Sequence, residues 1–173
     1  MLKMFSSLDK NAVFDRVDSP VGSLLIIASD KGVHSVLWED ELKNKAYKAF
    51  LDKLRRNEKH QVIVNLKKQL KEYFLGKRKN FDLNIVIEGT EFQKKAWKQL
   101  LKIPYGKTIS YGEQARMLGD AKKARAVGMA NSKNPVSIIV PCHRVIGKDG
   151  SLTGFGGGIN NKKILIELEK NNI

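Results

Sequence analysis

The chain's only cysteine, Cys142, stands directly after a proline that cuts off an apolar run. Val136-Ser137-Ile138-Ile139-Val140 is β-branched and reads as a buried strand or extended segment. Pro141 stops it, because proline cannot donate to a ladder. Val145-Ile146 returns to the core before a turn at Gly147-Lys148-Asp149-Gly150. One thiol is thus held on rigid backbone beside the imidazole of His143. The thiolate is the nucleophile and an unperturbed thiol has a pKa of about 8.5, so a reactive cysteine needs a basic or cationic neighbour. Without such a setting, a lone cysteine is as a rule a small buried hydrophobe.

The residues after Cys142 are permissive. Gly154-Phe155-Gly156-Gly157-Gly158 is a glycine-rich loop, but no Gly-Lys-Ser/Thr follows it, which excludes a nucleotide-binding P-loop. Lys162 to Lys170 reads as a final amphipathic helix. Leu165, Leu168 and Glu169 share a face there and Glu167 lies nearly opposite, so Glu169 is the acid able to reach inward.

The stretch before Cys142 carries two short helices. Thr90 caps a helix through Lys102, with Phe92, Ala96, Trp97, Leu100 and Leu101 inward. Ser110 opens Tyr111 to Leu118, and Ser110-x-x-Glu113 fits a capping box. Gly119 ends that helix, and another runs from Ala121 to about Asn131. This is a helix-turn-helix pattern, shared with any αα-hairpin. Lys122, Lys123 and Arg125 make the second helix basic, while Ala126, Gly128 and Ala130 keep it slim. A slim basic helix can lie against a nucleic-acid groove, and its N-terminal N–H groups suit phosphate.

The first half reads as an α/β scaffold without a catalytic constellation. Residues 1–10 look like a frayed start, and Met1 to Phe5 is too short and interrupted for a signal peptide. Val13–Val17, Gly22–Ala28 and Val33–Trp38 form a meander of short antiparallel strands. Leu42 to Arg56 predicts a helix with Ala46, Ala49, Phe50, Lys53 and Leu54 on one stripe. His60–Val64 predicts a short strand, Leu66 to Phe74 a helix ended by Gly76, and Phe81–Ile87 another strand. His34 and His60 are isolated and read as structural or solvated. Glu88-Gly89 marks a boundary, giving an α/β domain over 1–89 and a mainly helical domain over 90–173.

Charge separates these halves. The chain carries +14 over 173 residues. Residues 90–173 hold 15 Lys/Arg against 6 Asp/Glu, and residues 1–89 hold 17 against 12. The excess lies with Cys142, and a basic surface attracts phosphate backbones. One cysteine excludes an internal disulfide and a thiolate-rich zinc site, and suits a reducing compartment. No apolar run approaches the ~20 residues that span a bilayer. A cytoplasmic protein, or a nuclear one in a eukaryote, is expected.

Asn134-Pro135 followed by Ile139-Val140-Pro141-Cys142-His143-Arg144-Val145-Ile146-Gly147 resembles the active-site signature of the O6-alkylguanine-DNA alkyltransferases, the methylated-DNA–protein-cysteine methyltransferases. The likeness runs from Phe92 to Glu169 and is loose in the first half. It implies a ribonuclease-H-like α/β domain before a helix-turn-helix domain that binds DNA and transfers the alkyl group. It implies a monomer that takes the alkyl group of O6-alkylguanine, or O4-alkylthymine, in double-stranded DNA irreversibly onto Cys142, with no cofactor, metal or membrane. By the same resemblance His143, oriented by Glu169, draws off the thiol proton, and Tyr111 protonates the leaving guanine. Asn134 is the hinge between recognition helix and active-site turn. Lys122, Lys123, Arg125, Ala126 and Gly128 meet the minor groove, with Arg125 filling the vacated stack. Val145, Phe155 and Gly156 line the alkylguanine pocket, and many members carry tyrosine at the position of Phe155. Two other readings use the same residues: a Cys-His hydrolase, which would turn over, and an alkyltransferase-like lesion-binding protein, which would lack the thiol.

Overall fold

The computed structural model describes residues 8–43 and 45–173, so most of the start expected to fray lies outside the described residues. Two compact units divide the chain, Met1–Glu88 and Gly89–Ile173.

The first unit contains β1 (Val13–Val17), β2 (Leu24–Ser29), β3 (Gly32–Trp38), α1 (Lys45–Leu51), β4 (Arg55–Arg56) and α2 (Gln61–Phe74). The sheet order is β3-β2-β1-β4. β2 pairs antiparallel with β1 and β3, as the meander predicts, and β4 runs parallel to β1. Gly32 turns β2 into β3 at φ 133°, and a Cβ there would also collide with the Asn84 backbone, so only glycine serves. Every residue of β2 is buried. Leu25 and Ile27 join Ala12, Leu37 and Tyr47 of α1 in one apolar cluster. Alternation turns Leu24, Ile26 and Ala28 to the other face. α2 packs on the sheet and buries Ile63, Leu66, Leu70 and Tyr73 at helical spacing. Each buried Leu or Ile contributes about 1.5–3 kcal/mol against exposure.

Three expectations in this unit are corrected. The helix expected over Leu42–Arg56 is a 3-10 turn at Glu39–Lys43, then α1, then β4. Phe50 and Leu54 are half-buried, whereas Ala49 and Lys53 are exposed; the side chain of Ala46 lies outside the described residues. A buried carboxylate draws Arg56 out of the helical path: Asp15 accepts from Arg56 Nε at 2.8 Å and also pairs with Lys67. His60–Val64 is the cap and first turn of α2, with Val64 on its exposed side. The strand expected at Phe81–Ile87 reduces to one parallel bridge, Ile85 with Val33. Its backbone is satisfied partly by a side chain instead, since Gln69 bonds both the N–H and the carbonyl of Asp82 at 2.8 Å.

The second unit contains α3 (Glu91–Leu100), β5 (Ile109–Ser110), α4 (Tyr111–Met117), α5 (Ala124–Asn131), β6 (Val145–Ile146) and α6 (Ile159–Asn171). Capping boxes open α3 at Thr90/Gln93 and α4 at Ser110/Glu113. Gly119, at φ 91°, turns the chain after α4. The helix expected from Ala121 begins as a 3-10 turn, Ala121–Lys123, whose Lys122 N–H is taken by Asp120 at 2.9 Å. Trp97 Nε1 donates to Ala130 O at 2.9 Å and ties α3 to α5. Gln114 and Asn131 exchange amide hydrogen bonds, and Gln114 also reaches Ala96 O at 3.1 Å. That buried network fixes α3, α4 and α5 against one another.

Candidate active site

The run Val136–Val140 is buried, but it is a compact turn and not a strand. Asn134 explains how. Its Oδ1 accepts from Val136 N at 3.1 Å and its Nδ2 donates to Val140 O at 2.7 Å, so one side chain replaces a ladder. Ile138 takes φ 73° within this turn, a cost for a β-branched residue that the surrounding bonds must hold. The same Nδ2 lies 3.2 Å from Cys142 Sγ.

Cys142, His143 and Arg144 form the 3-10 turn that follows. β6 comes next and pairs parallel with β5, Ile109 with Val145 and Ser110 with Ile146. Since β5 leads directly into Tyr111, this two-residue pairing sets the cysteine turn in register with the start of α4.

α6 supplies two groups from one buried stripe, Lys162, Leu165, Ile166 and Glu169. Glu169 is buried as the sequence pattern selects; Leu168 is only half-buried and Glu167 is exposed. Glu169 Oε1 meets His143 Nε2 at 2.8 Å. Arg144 binds the carboxylate twice, Nε to Oε2 at 2.9 Å and Nη2 to Oε1 at 3.0 Å, and its Nη1 reaches Ile103 O at 2.5 Å. Gly106 N adds a bond to Oε2 at 3.0 Å. Burial alone would raise the Glu169 pKa, but His143 and Arg144 outweigh it and hold the group at about 2. Burial lowers the pKa of His143 against the pull of Glu169. An ionised Glu169 only accepts, so Nε2 carries the proton and Nδ1 keeps its lone pair. Nδ1 is buried and has no hydrogen-bond partner.

Seven residues earlier on the stripe, Lys162 Nζ donates to Thr153 O at 2.8 Å and stands 3.4 Å from the Tyr111 hydroxyl. Tyr111 OH also donates to Thr153 O, at 2.9 Å. Burial raises the Tyr111 pKa and lowers that of Lys162, while negative charge on Cys142 favours the lysine's charged form. Phe155 is half-buried and Gly156 exposed on the glycine loop, and Val145 is buried. On α5 and its lead-in, Lys122, Lys123, Arg125 and Ala126 are exposed, together with Met129. Gly128 lies beside the Tyr111 ring, which a Cβ there would meet at 3.7 Å, an ordinary contact, and Ala130 is buried. Arg144 and Lys162 were not singled out by the sequence reading. The signal for Lys162 was its place one heptad before Glu169.

Both unusual carboxyl and imidazole states bind fewer protons folded than unfolded. Their stabilisation is complete above about pH 6.5 and is lost on acidification, first below the ordinary histidine value and then between 4.5 and about 2 for Glu169. Urea midpoints should therefore fall in two steps from about pH 7.5 to about pH 3, with Glu169→Gln shrinking the lower step, to which the lowered carboxyls of Asp15 and Glu113 also contribute. A midpoint unchanged over that range would contradict the assigned protonation states.

Residues 91–171 match the family model of the 6-O-methylguanine DNA methyltransferase DNA-binding domain, and residues 13–87 match that of its ribonuclease-like domain. The methylated-DNA–protein-cysteine methyltransferase of Methanosarcina barkeri is 43% identical over 160 residues, covering 92% of this chain and 98% of that one. The chain belongs to the 6-O-methylguanine DNA methyltransferase family. A crystal structure of Mycobacterium tuberculosis O6-methylguanine methyltransferase is similar at TM-score 0.83 and 41% identity over 94% of each chain. A crystal structure of Mycobacterium tuberculosis OGT in complex with DNA is similar at TM-score 0.78 and 40% identity, over 92% of this chain and 93% of that one. The ribonuclease-like α/β half and the helical DNA-binding half of this family are both present, as the resemblance implied. No helix among the described residues is long and apolar enough to cross a membrane.

Proposed function

We propose that the chain repairs double-stranded DNA by moving the alkyl group of O6-alkylguanine, or O4-alkylthymine, onto Cys142 once and irreversibly, as a monomer in the reducing compartment that holds DNA. The observation that carries this reading is the chain of bonds Arg144–Glu169–His143 beside Cys142, whose sulfur accepts from Asn134. Residues 90–173 supply both binding and transfer. Lys122, Lys123, Arg125 and Ala126 present the exposed face of α5 and its lead-in turn to the minor groove, and Arg125 fills the stack vacated by the flipped base. Gly128, half-buried on the same helix, keeps it slim where it meets the groove.

In the transfer step His143 Nδ1 takes the thiol proton, through a water, and Cys142 Sγ attacks the alkyl carbon. The S–C bond forms as the C–O6 bond breaks, and the electron pair goes to guanine. Tyr111 delivers a proton to the leaving base, and the ammonium of Lys162 stabilises the phenolate that develops. Val145, Phe155 and Gly156 enclose the base. The thioether has no hydrolysable bond, so the protein is spent.

A duplex carrying radiolabelled O6-methylguanine tests the reading. One equivalent of label per chain, recovered on the Cys142 peptide, is the expected result. Multiple turnovers with release of the label would point to a Cys-His hydrolase, and DNA binding without label to a lesion-binding protein.

A further inference from the structure

The N-terminal unit holds a cleft of about 430 Å3 whose lining includes Lys10, Lys53, Arg55, His60 and Asp30. Among the described residues Lys10, Lys53 and Arg55 enter no ion pair. Arg55 faces the cleft because strand alternation turns its neighbour Arg56 to Asp15. His60 is the N-cap residue of the 14-residue helix α2, and it makes no side-chain capping bond. His60 is the residue at this end of α2 that lines the cleft. The side chain of His60 is 15% exposed, with Nε2 3.2 Å from Asp30 Oδ1. Its other ring nitrogen, Nδ1, is buried without a partner. Asp30 is the only acid of the lining and its side chain is 89% exposed, leaving the cleft cationic.

We propose that this cleft is a second phosphate site, occupied by a backbone phosphate of duplex DNA. This rests on the DNA-repair reading above and extends it to a unit in which the sequence showed no site. Three cations without ion pairs among the described residues, Lys10, Lys53 and Arg55, converge on one cleft and suit a phosphate oxyanion. The unit carries a net positive charge like the rest of the chain, so a nucleic-acid backbone is the anion its field collects. No covalent step is involved.

The test is the doubly neutralised variant Lys53→Gln/Arg55→Gln in the full chain. Both residues are exposed, and a melting curve matching the parent's certifies the fold. Each phosphate contact steepens the dependence of log affinity on log salt by about 0.9. For unmodified duplex, the variant's slope should be shallower by about 1–2 and its affinity several-fold weaker at about 0.1 M salt. Labelling of Cys142 by a free O6-alkylguanine base should keep the parent rate. Inorganic phosphate, followed by amide NMR of the parent at Asn11, Arg55 and His60, which line the cleft, separates the sources. Phosphate shifts with an unchanged salt slope would mean a small-anion site and overturn the DNA assignment. No phosphate shift and no change in slope would overturn the site itself. Failure of the repair reading shows separately, as a parent protein that takes no label from the free base.

Discussion

Cys142→Ala is expected to abolish alkyl transfer completely while the protein still folds and still binds DNA. The structure separates these properties. The sulfur accepts from Asn134 Nδ2, and that nitrogen keeps its shorter bond to Val140 O when the sulfur is gone. Asn134 Nδ2 is therefore not orphaned, and losing the sulfur atom from a packed turn costs about 1 kcal/mol. The exposed cations on and before α5 stay as they are, so phosphate contacts and salt dependence stay too. Duplex affinity, a melting curve and label incorporation, measured on one preparation, decide the matter. Any label on the alanine variant would remove Cys142 from the chemistry. A collapse of the melting transition would mean that the sulfur holds the Asn134 turn together.

Local chemistry was legible in the sequence wherever a few neighbouring residues fix the backbone. Ser110 and Glu113 cap α4 as their spacing predicts, and Gly119 turns the chain between the two short helices. Glu169 was legible because helical periodicity alone sends it inward. What escaped reading depends on partners distant in sequence. Val136–Val140 has the composition of a buried strand, but Asn134 satisfies its backbone and permits a turn. Val62-Ile63-Val64 looks extended by propensity, yet Ile63 falls in phase with Leu66 and Leu70, and packing on the sheet overrides propensity. Arg55-Arg56 continues a helical pattern until the buried carboxylate of Asp15 takes Arg56 into the sheet. Lys162 and Arg144 are charged residues that a pattern places at the surface; each is buried because a carbonyl or carboxylate awaits it.

Arg144→Ala is expected to destabilise the C-terminal unit by about 3–5 kcal/mol, the usual cost of leaving one member of a buried ion pair behind. Arg144 is 7% exposed and spends its guanidinium on Glu169 and on the carbonyl of Ile103. Removing it takes the guanidinium away from Glu169, which is 1% exposed and still bonded by His143 and Gly106 N. Burial then dominates and the Glu169 pKa rises from about 2. A protonated Glu169 no longer orients His143 with a charge, so the acid limb of the single-turnover rate should move to higher pH. Arg144→Lys keeps a positive charge but not the two-pronged contact, and should fall between parent and alanine in both readouts. The rate profile is the discriminating measurement, because a residue that only packs would lower the melting temperature without moving the limb. An alanine variant with the parent's melting temperature and acid limb would show that Glu169 needs no counter-charge, and that His143 is oriented by its one hydrogen bond alone.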